Sequence, residues 1–344
     1  MALISVLSFR LGGTDGVAIE SAKWMDALRI LGHEVRTVAG EGNADLLLEG
    51  LAISAVKPPT LQQISSAIGD ADLVIVENLA SLPLNPGARD VVYEALEGRR
   101  ALFHHHDLAS QRAHLAHLGG PRDAPLWRHV TINELSRREL LASGIDAVTL
   151  MNSFDCDPPS GDRRRAREQF GLNHERLVLL PTRAIARKNL AGALHVCSSL
   201  GASLWILGPA EDGYDAELER VLSSSPVTTY RGLAENFTIH DAYAAADLVV
   251  MPSTWEGFGN PVLESVTHRR ALALNPYPVA REIMSFGFQF FELADIEALN
   301  TFLEHPDEAL FEHNRGIARR FFNVEDLPSR LAKILNSLGI GNGY

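Results

Sequence analysis

The sequence has few of the features that mark secreted, zinc-binding or nucleic-acid-binding proteins. Its 344 residues include only two cysteines, Cys156 and Cys197, which are far apart and share no metal-ligand spacing. This argues against a disulfide scaffold and a cysteine-bound zinc site, and it fits a reducing cytosol. The formal net charge is −12, so a basic surface for nucleic acid is not expected and contact with anionic lipid is not favoured.

Long apolar runs are also missing. No run approaches the length needed to cross a bilayer, and the opening residues MALISVLSFR lack the basic stretch of a signal peptide. Hydrophobic residues make up 46% and charged residues 22%, which is typical of a soluble globular chain. We therefore expect a cytoplasmic protein, and the length predicts two domains.

Short apolar runs alternate with amphipathic segments along most of the chain. In VAIESAKWMDALRILGH the apolar residues recur at steps of three and four, which predicts a helix between two strands. Repeated strand–helix–strand units predict an α/β fold with doubly wound parallel sheets. The predicted strands are Leu3–Phe9, Glu34–Ala39, Leu73–Glu77, Ala101–His106, His129–Ile132, Ala147–Leu150, Leu177–Pro181, Ser203–Leu207, Thr228–Arg231, Leu248–Met251 and Ala271–Leu274.

A proline-rich and charged segment, DCDPPSGDRRRAREQ, divides the two sets of strands and predicts an interdomain linker. We place an N-terminal Rossmann-like domain at 1–157, a C-terminal Rossmann-like domain at 158–325 and a final helical segment at 326–344. That last segment is expected to pack back on the first domain. Ligands bind beyond the carboxyl ends of parallel strands, so a cleft between two such domains is the expected site.

The stretch MPSTWEGFGNPVLES carries the strongest functional signal. Pro252 ends a predicted strand, Asn260 is a suitable helix N-cap, and Pro261 suits the first helical position. Glu256 then lies on the loop and Glu264 about one turn into the helix, so the two carboxylates flank the positive helix end, which favours phosphate. A sugar nucleotide carries hydroxyls, then phosphates, then more hydroxyls. This order matches a carboxylate, a positive helix end and a second carboxylate.

EGFGNPVLE resembles the E-x-F-G-x-x-x-x-E signature of retaining glycosyltransferases of the GT-B fold, family 4. The resemblance implies that Glu256 binds donor-sugar hydroxyls and Glu264 the nucleotide ribose. It also implies donor contacts from the loop residues Phe258, Gly259 and Asn260. The alternative is an ordinary loop and helix start with scattered charge.

The segment PTRAIARKNL follows a predicted strand and places basic residues where the chain opens into a loop and helix. Arginine can fork onto phosphate oxygens, and lysine can add a point charge. The segment resembles the family's R-x-x-x-x-K stretch, which implies that Arg183 and Lys188 neutralise the leaving diphosphate. Arg187 is expected to be an exposed bystander, and a solvated helix start is the alternative for the whole segment.

LGGTDGVAIE, after the first strand, is a glycine-rich turn. By itself it fits a dinucleotide site, a phosphate site or a tight turn, although its spacing is G-G-x-x-G rather than G-x-G-x-x-G. It resembles the family's first glycine loop. That implies donor contacts for Gly12 and Gly13, with Thr14 and Asp15 as helix caps and acceptor-side candidates.

Three histidines end a strand in ALFHHHDL. Neighbours in a strand point to opposite faces, so only His104 and His106 could converge on a metal. Metal binding and burial without catalysis are both alternatives here. The resemblance favours His106 as the residue that positions the donor sugar, with His105 as its rival, and it places Gly232 and Leu233 near the nucleotide base.

Taken together, the motifs imply a retaining hexosyltransferase with two Rossmann-like domains facing a central cleft. The family uses UDP-, GDP- and ADP-linked sugars as co-substrates, with no other cofactor, no essential metal and no protein nucleophile. The expected acceptor is a small soluble hydroxyl compound or a glycan. Two other classes stand as alternatives, a dinucleotide-dependent oxidoreductase and a nucleotide-sugar-binding protein without catalysis.

Overall fold

The computed structural model of the protein describes residues 1–13, 15–211 and 213–341. The chain divides into two compact units. Unit 1 comprises Met1–Ser153 and Val324–Tyr344, and unit 2 comprises Phe154–Asn323. The boundaries predicted from the sequence are 157/158 and 325/326.

Unit 1 contains a seven-stranded parallel sheet in the order β3-β2-β1-β4-β5-β6-β7 across its described residues. Every residue of β4 and β5 is buried, as is usual for central strands of a parallel sheet covered on both faces. The strand order reverses between β1 and β4. The strands are β1 (Leu3–Leu11), β2 (Glu34–Gly42), β3 (Leu46–Leu47), β4 (Leu73–Glu77), β5 (Ala101–His105), β6 (Trp127–Thr131) and β7 (Ala147–Thr149).

Unit 2 repeats the arrangement with six parallel strands in the order β10-β9-β8-β11-β12-β13, again over the described positions. Here the order reverses between β8 and β11. The two-residue edge strands β3 and β13 are absent from the predicted set, because two residues are too few to show a period. The strands are β8 (Leu177–Leu180), β9 (Ser203–Ile206), β10 (Thr229–Arg231), β11 (Leu248–Met251), β12 (Ala271–Leu274) and β13 (Phe291–Glu292).

The helices connect the strands and cover the sheets. In order they are α1 (Gly16–Ile30), α2 (Leu61–Ile68), α3 (Pro86–Ala95), α4 (Glu134–Ala142), α5 (Arg163–Glu168), α6 (Leu190–Leu200), α7 (Asp215–Ser223), α8 (Ile239–Ala245), α9 (Asn260–Thr267), α10 (Pro278–Met284), α11 (Ile296–Glu304), α12 (Glu308–Phe321) and α13 (Leu327–Ser337).

The C-terminal helix α13 belongs to unit 1. Its buried residues Leu327, Leu331 and Leu335 lie in one apolar core with Trp24 and Leu28 of α1. Burial of side chains of this size stabilises a fold by about 1.5–3 kcal/mol each, so the returning helix is an integral part of the unit. Among the described helices, none combines the length and apolar character required to span a membrane.

Candidate active site

Arg183 lies just beyond the carboxyl end of β8. Its Nη1 lies 2.5 Å from Glu211 Oε2, and both side chains are partly exposed. Gly208, which follows β9, packs so closely here that a Cβ on it would lie 2.5 Å from Arg183 Cα. The backbone at Arg183 is therefore fixed by packing, while its guanidinium remains accessible to an anion.

Lys188 lies on a 3₁₀ turn, Ala186–Lys188, between β8 and α6. The turn ends at Asn189, whose φ of 51° is left-handed, a conformation that asparagine tolerates better than most residues. The turn carries Lys188 inward, so that the residue is only 8% exposed and its Nζ contacts Glu256 Oε1. Burial lowers the pKa of Lys188, and the charge of Glu256 opposes this effect only in part.

Glu256 lies on the loop after β11 and is only 5% exposed despite its charge. Two basic side chains compensate it, because Lys188 Nζ contacts Oε1 and Arg187 Nη1 lies 2.5 Å from Oε2. Burial alone would raise the pKa of Glu256, but Lys188 and Arg187 outweigh burial and hold this pKa below its ordinary value. The carboxyl ends of β8 and β11 thus carry one buried carboxylate between two basic groups.

Arg187 is not the exposed bystander that the sequence analysis expects. Besides its contact with Glu256, its Nη1 donates to the Trp255 carbonyl oxygen at 2.8 Å. Its own carbonyl oxygen accepts a hydrogen bond from Thr254 N at 2.9 Å. The 3₁₀ turn packs on the loop after β11, so Arg187 and Lys188 reach the same carboxylate. The sequence signal for this role is that Arg187 is a second cation next to Lys188. A buried carboxylate is stable only when positive groups neutralise its charge.

The loop between the two glutamates is anchored by its aromatic residue. Phe258 is buried, and its ring lies 5.9 Å from that of Phe154 and 6.4 Å from that of Phe322, measured between centroids. Its carbonyl oxygen accepts from Tyr277 Oη at 2.9 Å. Gly259 has φ 92°, and a Cβ on it would lie 2.0 Å from Tyr277 Oη. Packing of the loop therefore requires this glycine, whether or not a ligand also approaches it.

The helix after this loop begins one residue earlier than the sequence analysis expects. Asn260 is the first residue of α9 and Pro261 lies within its first two positions, while Gly259 occupies the N-cap without a side-chain cap. The reason is the left-handed backbone of Gly259, which turns the chain into the helix directly. The prediction that Asn260 caps the helix is therefore wrong, although the helix does begin at this point.

Glu264 lies one turn into α9 and is held by Tyr243 of α8. Tyr243 Oη donates to Glu264 Oε2 at 2.7 Å, and the Tyr243 ring stacks on His268 with centroids 4.4 Å apart. Burial, followed by the charge of Glu264, raises the pKa of Tyr243 well above its ordinary value. The phenol therefore remains a hydrogen-bond donor at neutral pH and orients the carboxylate.

Gly232 and Leu233 follow β10, which lies two strands from β8. Gly232 is exposed with φ 75°, its N–H bonds to Ile206 O at 2.8 Å, and its carbonyl oxygen accepts from Trp205 Nε1 at 2.7 Å. These backbone bonds fix the turn but do not connect it to Glu256 or Lys188.

In unit 1, the glycine turn follows β1 and leads into α1. Gly12 has φ 74°, and a Cβ on it would lie 2.8 Å from Asn43 Cβ. Asp15 caps α1 through bonds of 3.1 and 3.2 Å from two backbone N–H groups, and it pairs with Arg10 at 2.8 Å. A Cβ on Gly13 would lie 3.0 Å from Asp15 Oδ2. Thr14 lies outside the described residues.

His104 and His106 converge on Glu77, the last residue of β4. Glu77 Oε2 lies 2.9 Å from His104 Nδ1 and 3.0 Å from His106 Nε2. The neighbouring Asn78, with φ 57°, accepts at Oδ1 from the backbone N of His106 at 3.0 Å and of Asp107 at 3.1 Å. Glu77 is not among the site residues predicted from the sequence, although a charged residue at the end of an otherwise apolar strand is a signal for it.

The cluster of Glu77, His104 and His106 also has a spacing that could hold a metal ion, since one ligand atom from each lies within 4.8 Å of the others. Burial alone would raise the pKa of Glu77, but the two imidazoles outweigh burial and lower this pKa. Burial in turn lowers the pKa of His104. At neutral pH the cluster is therefore a carboxylate that accepts imidazole N–H groups.

His105 lies on the opposite face of β5. Its Nε2 lies 2.8 Å from His129 Nδ1, and His129 Nε2 lies 3.2 Å from Asp123 Oδ1. Burial lowers the pKa of His105 well below its ordinary value, and it also lowers the pKa of His129. His105 therefore belongs to a separate buried pair and does not contact Glu77.

Glycosyltransferases are among the known proteins with related sequences and structures. Residues 182–300 match the family model described as "Glycosyl transferases group 1". The chain is 26% identical to mannosylglucosylglycerate synthase of Thermotoga maritima, covering 96% of this chain and 99% of that protein. The chain is thus a glycosyltransferase with the GT-B fold, and its residues 182–300 resemble the group 1 family. The matched residues include Arg183, Lys188, Glu256 and Glu264.

Solved structures agree on the fold of this glycosyltransferase. HepE of Anabaena, in complex with UDP-glucose, superposes with a TM-score of 0.74 at 17% identity, covering 97% of this chain and 99% of that one. Sucrose-phosphate synthase of Thermosynechococcus elongatus superposes with a TM-score of 0.72 at 13% identity, covering 98% and 99%. At these identities the likeness establishes the two-sheet fold alone. Which ligands this chain binds has to be argued from its own residues.

Proposed function

We propose that this glycosyltransferase moves a hexose from a nucleotide-diphosphate sugar to a hydroxyl acceptor with retention of configuration. The observation that carries the proposal is the buried Glu256 carboxylate between Lys188 and Arg187. It lies where the strand order of unit 2 reverses, between β8 and β11. Ligands of open α/β sheets bind at this kind of position, beyond the carboxyl ends of the strands.

In the proposal, the basic groups stabilise the charge that builds up on the diphosphate as the glycosidic bond breaks. Arg183 supplies a partly exposed guanidinium, and Lys188 supplies an ammonium group that is shielded from water. Electrostatic interactions are stronger in such a partly desolvated site than in bulk water. Glu256 accepts hydrogen bonds from the donor-sugar hydroxyls in this arrangement.

Glu264 binds the nucleotide ribose in the proposal. Its hydrogen bond from the buried Tyr243 phenol, 2.7 Å long, orients the carboxylate before the donor arrives. A binding side chain is held more precisely when it lies on a helix and has a supporting hydrogen bond than when it lies on a loop. The nucleotide in the HepE complex is UDP, which makes a uridine donor the first to test for this chain.

The proposed chemistry needs no protein nucleophile and no metal. The departing phosphate takes the proton of the acceptor hydroxyl on the face from which it leaves, so the new bond forms on that same face. The acceptor hydroxyl oxygen bonds to the anomeric carbon as the bond from that carbon to the phosphate oxygen breaks. His106 is proposed to position the donor sugar.

The proposed acceptor is a small, polar hydroxyl compound. Two related proteins, from Thermotoga maritima and Petrotoga mobilis, are mannosylglucosylglycerate synthases. A third relative, at 22% identity, is an α-D-kanosaminyltransferase of Streptomyces kanamyceticus. We infer a soluble glycoside of a small acid as the first acceptor class to test, with mannose as the first transferred sugar.

The test combines donor binding with product analysis. UDP-, GDP- and ADP-linked hexoses are screened by thermal shift, because a ligand that binds only the folded state raises the melting temperature. The donor that binds is then incubated with glucosylglycerate, and proton NMR reads the anomeric configuration. Retained configuration in the product supports the proposal. Inverted configuration contradicts retention, and donor binding without transfer to any hydroxyl acceptor would indicate a binding protein instead.

A further inference from the structure

The two basic side chains at Glu256 are held in different ways. Arg187 is fixed at three points: its Nη1 lies 2.5 Å from Glu256 Oε2 and 2.8 Å from Trp255 O, and its carbonyl oxygen accepts from Thr254 N. Lys188 Nζ, in contrast, bonds to Glu256 Oε1, and no other hydrogen-bond acceptor for it is found in the described part of the chain. Arg187 is therefore bonded to the loop after β11 at several points, whereas Lys188 is bonded only to Glu256 among the described residues.

This difference has a consequence when an anion enters the site. A lysine has a flexible stem and a compact charge, so Lys188 can exchange one anionic partner for another. If Lys188 were the sole counterion of Glu256, its move to a diphosphate would leave a buried carboxylate unpaired and close to the incoming negative charge. Leaving a buried charge without a partner is strongly unfavourable.

We propose that Arg187 is the fixed counterion of Glu256, and that it allows Lys188 to move from Glu256 to the donor diphosphate. The inference rests on the proposed function, because it takes Lys188 as a diphosphate ligand. Arg187 is thus a positioning residue: it acts through Glu256 and keeps this carboxylate ionised and in place after Lys188 has moved.

The other charged and titratable groups around Glu256 cannot replace Arg187. Tyr277 is fully enclosed and stays protonated at neutral pH, because burial followed by the charge of Glu256 raises its pKa well above the ordinary value. Arg183 lies near enough to oppose the charge of Lys188, but its guanidinium pairs with Glu211. Without Arg187, the carboxylate of Glu256 would therefore have to bind a proton when Lys188 leaves.

The experiment measures protons taken up when a nucleoside diphosphate binds. UDP, GDP and ADP are titrated into the full-length protein by isothermal calorimetry, and the tightest is used in buffers of different ionisation enthalpy at pH 6.5. Arg187→Gln is compared with the parent and with the control Arg220→Gln. Arg220 is an exposed arginine of α7 that pairs with Glu217 in the same unit.

We expect Arg187→Gln to take up close to one proton more per bound nucleotide than the parent and the control. Between pH 6.5 and the pKa that Glu256 acquires in the complex, binding linked to one proton weakens about tenfold for each pH unit, relative to the parent. Arg187→Lys keeps a cation and is expected to return the proton number to the parental value. Equal proton uptake by Arg187→Gln and the parent would overturn the inference, as would an Arg187→Lys protein that takes up the same extra proton.

A second variant separates a counterion role from a role in folding. In a Glu256→Gln background no carboxylate is left to protonate, so adding Arg187→Gln should change neither the proton number nor its pH dependence. An extra proton in this double variant contradicts the inference. If none of the three nucleotides binds the folded parent protein, the proposed function itself fails. If they bind with the parental proton number in every variant, only the role of Arg187 fails.

Discussion

Strands β4 and β11 occupy the same place in the two sheets, each next to the strand at which the order reverses. Each leads to a buried carboxylate, Glu77 in unit 1 and Glu256 in unit 2. The compensating groups differ. Glu77 is bonded by two imidazoles, His104 and His106, whereas Glu256 is bonded by an ammonium and a guanidinium.

The difference shows how one topology produces two kinds of electrostatic site. Burial lowers the pKa of His104, so the imidazoles around Glu77 do not supply the permanent positive charge that a guanidinium would. An arginine stays charged throughout the physiological range, so the site around Glu256 keeps a positive group. A persistent positive site suits a diphosphate, and a neutral imidazole held by a carboxylate suits the hydroxyls of a sugar.

The largest effect is expected at the unit 2 carboxylate. Glu256→Gln should lower kcat/KM for the donor about 1,000-fold, because it removes the charge that accepts the sugar hydroxyls. Initial rates with a labelled nucleotide sugar measure this, and Glu217→Gln, which changes a partly exposed glutamate of α7, is the control. Turnover equal to that of the control would remove Glu256 from the mechanism.

A smaller effect is expected from pH on the stability of unit 1. His105 and His129 have lowered pKa values in the folded state, so their stabilising contribution is complete above pH 6.5 and is lost as pH falls below it. From pH 7.5 to 5.5 the two groups should together reduce the free energy of unfolding by up to about 3 kcal/mol.

Hydrogen exchange measured by mass spectrometry can follow this loss separately in each unit. The free energy of unfolding of unit 2 should fall less than that of unit 1 between pH 7.5 and 5.5, although burial lowers the pKa of His268 in unit 2 to about 4. An equal or larger loss in unit 2 would contradict the comparison.

Glu77→Gln should lower kcat about tenfold. Glutamine can still accept from His104 and His106 through one oxygen, but its amide would occupy the place of Glu77 Oε1, which has no partner among the described residues. An unsatisfied buried donor costs about 1–3 kcal/mol of stability. Steady-state kinetics test the loss of kcat, and a melting curve tests the loss of stability. An unchanged kcat would show that Glu77 is not needed for the role proposed for His106.

The smallest effect is expected from removal of metal. Dialysis against EDTA should leave kcat and the melting temperature unchanged, because in our proposal the basic residues of unit 2 neutralise the diphosphate. Elemental analysis before dialysis shows whether Glu77, His104 and His106 hold an ion. Loss of activity that zinc or magnesium restores would contradict metal-independent transfer.

The sequence predicts the sheets well because their central strands are continuous apolar runs. Leu73–Glu77, Leu248–Met251 and Ala271–Leu274 are predicted with the boundaries that the structure shows. The edge strands β3 and β13 could not be predicted, since two residues carry no periodic pattern. The glycosyltransferase fold is confirmed by the solved structures and by the family match.

Local sequence patterns say less about the chemistry of the candidate site than about the strands that carry it. The roles of Glu256, Glu264, Arg183 and Lys188 stay predictions, although the structure brings Lys188 onto Glu256. The involvement of Arg187 depends on a tertiary contact between two loops that are about 70 residues apart. A local pattern cannot show such a contact, and the same is true of Glu77, whose partners lie on the next strand.

A crystal structure with the tightest-binding nucleoside diphosphate tests the central claim most directly. We predict that the phosphates lie beyond the carboxyl ends of β8 and β11, with Lys188 Nζ moved from Glu256 to a phosphate oxygen and Arg187 still bonded to Glu256. Phosphates bound at the glycine turn after β1, with Lys188 unmoved, would contradict the account.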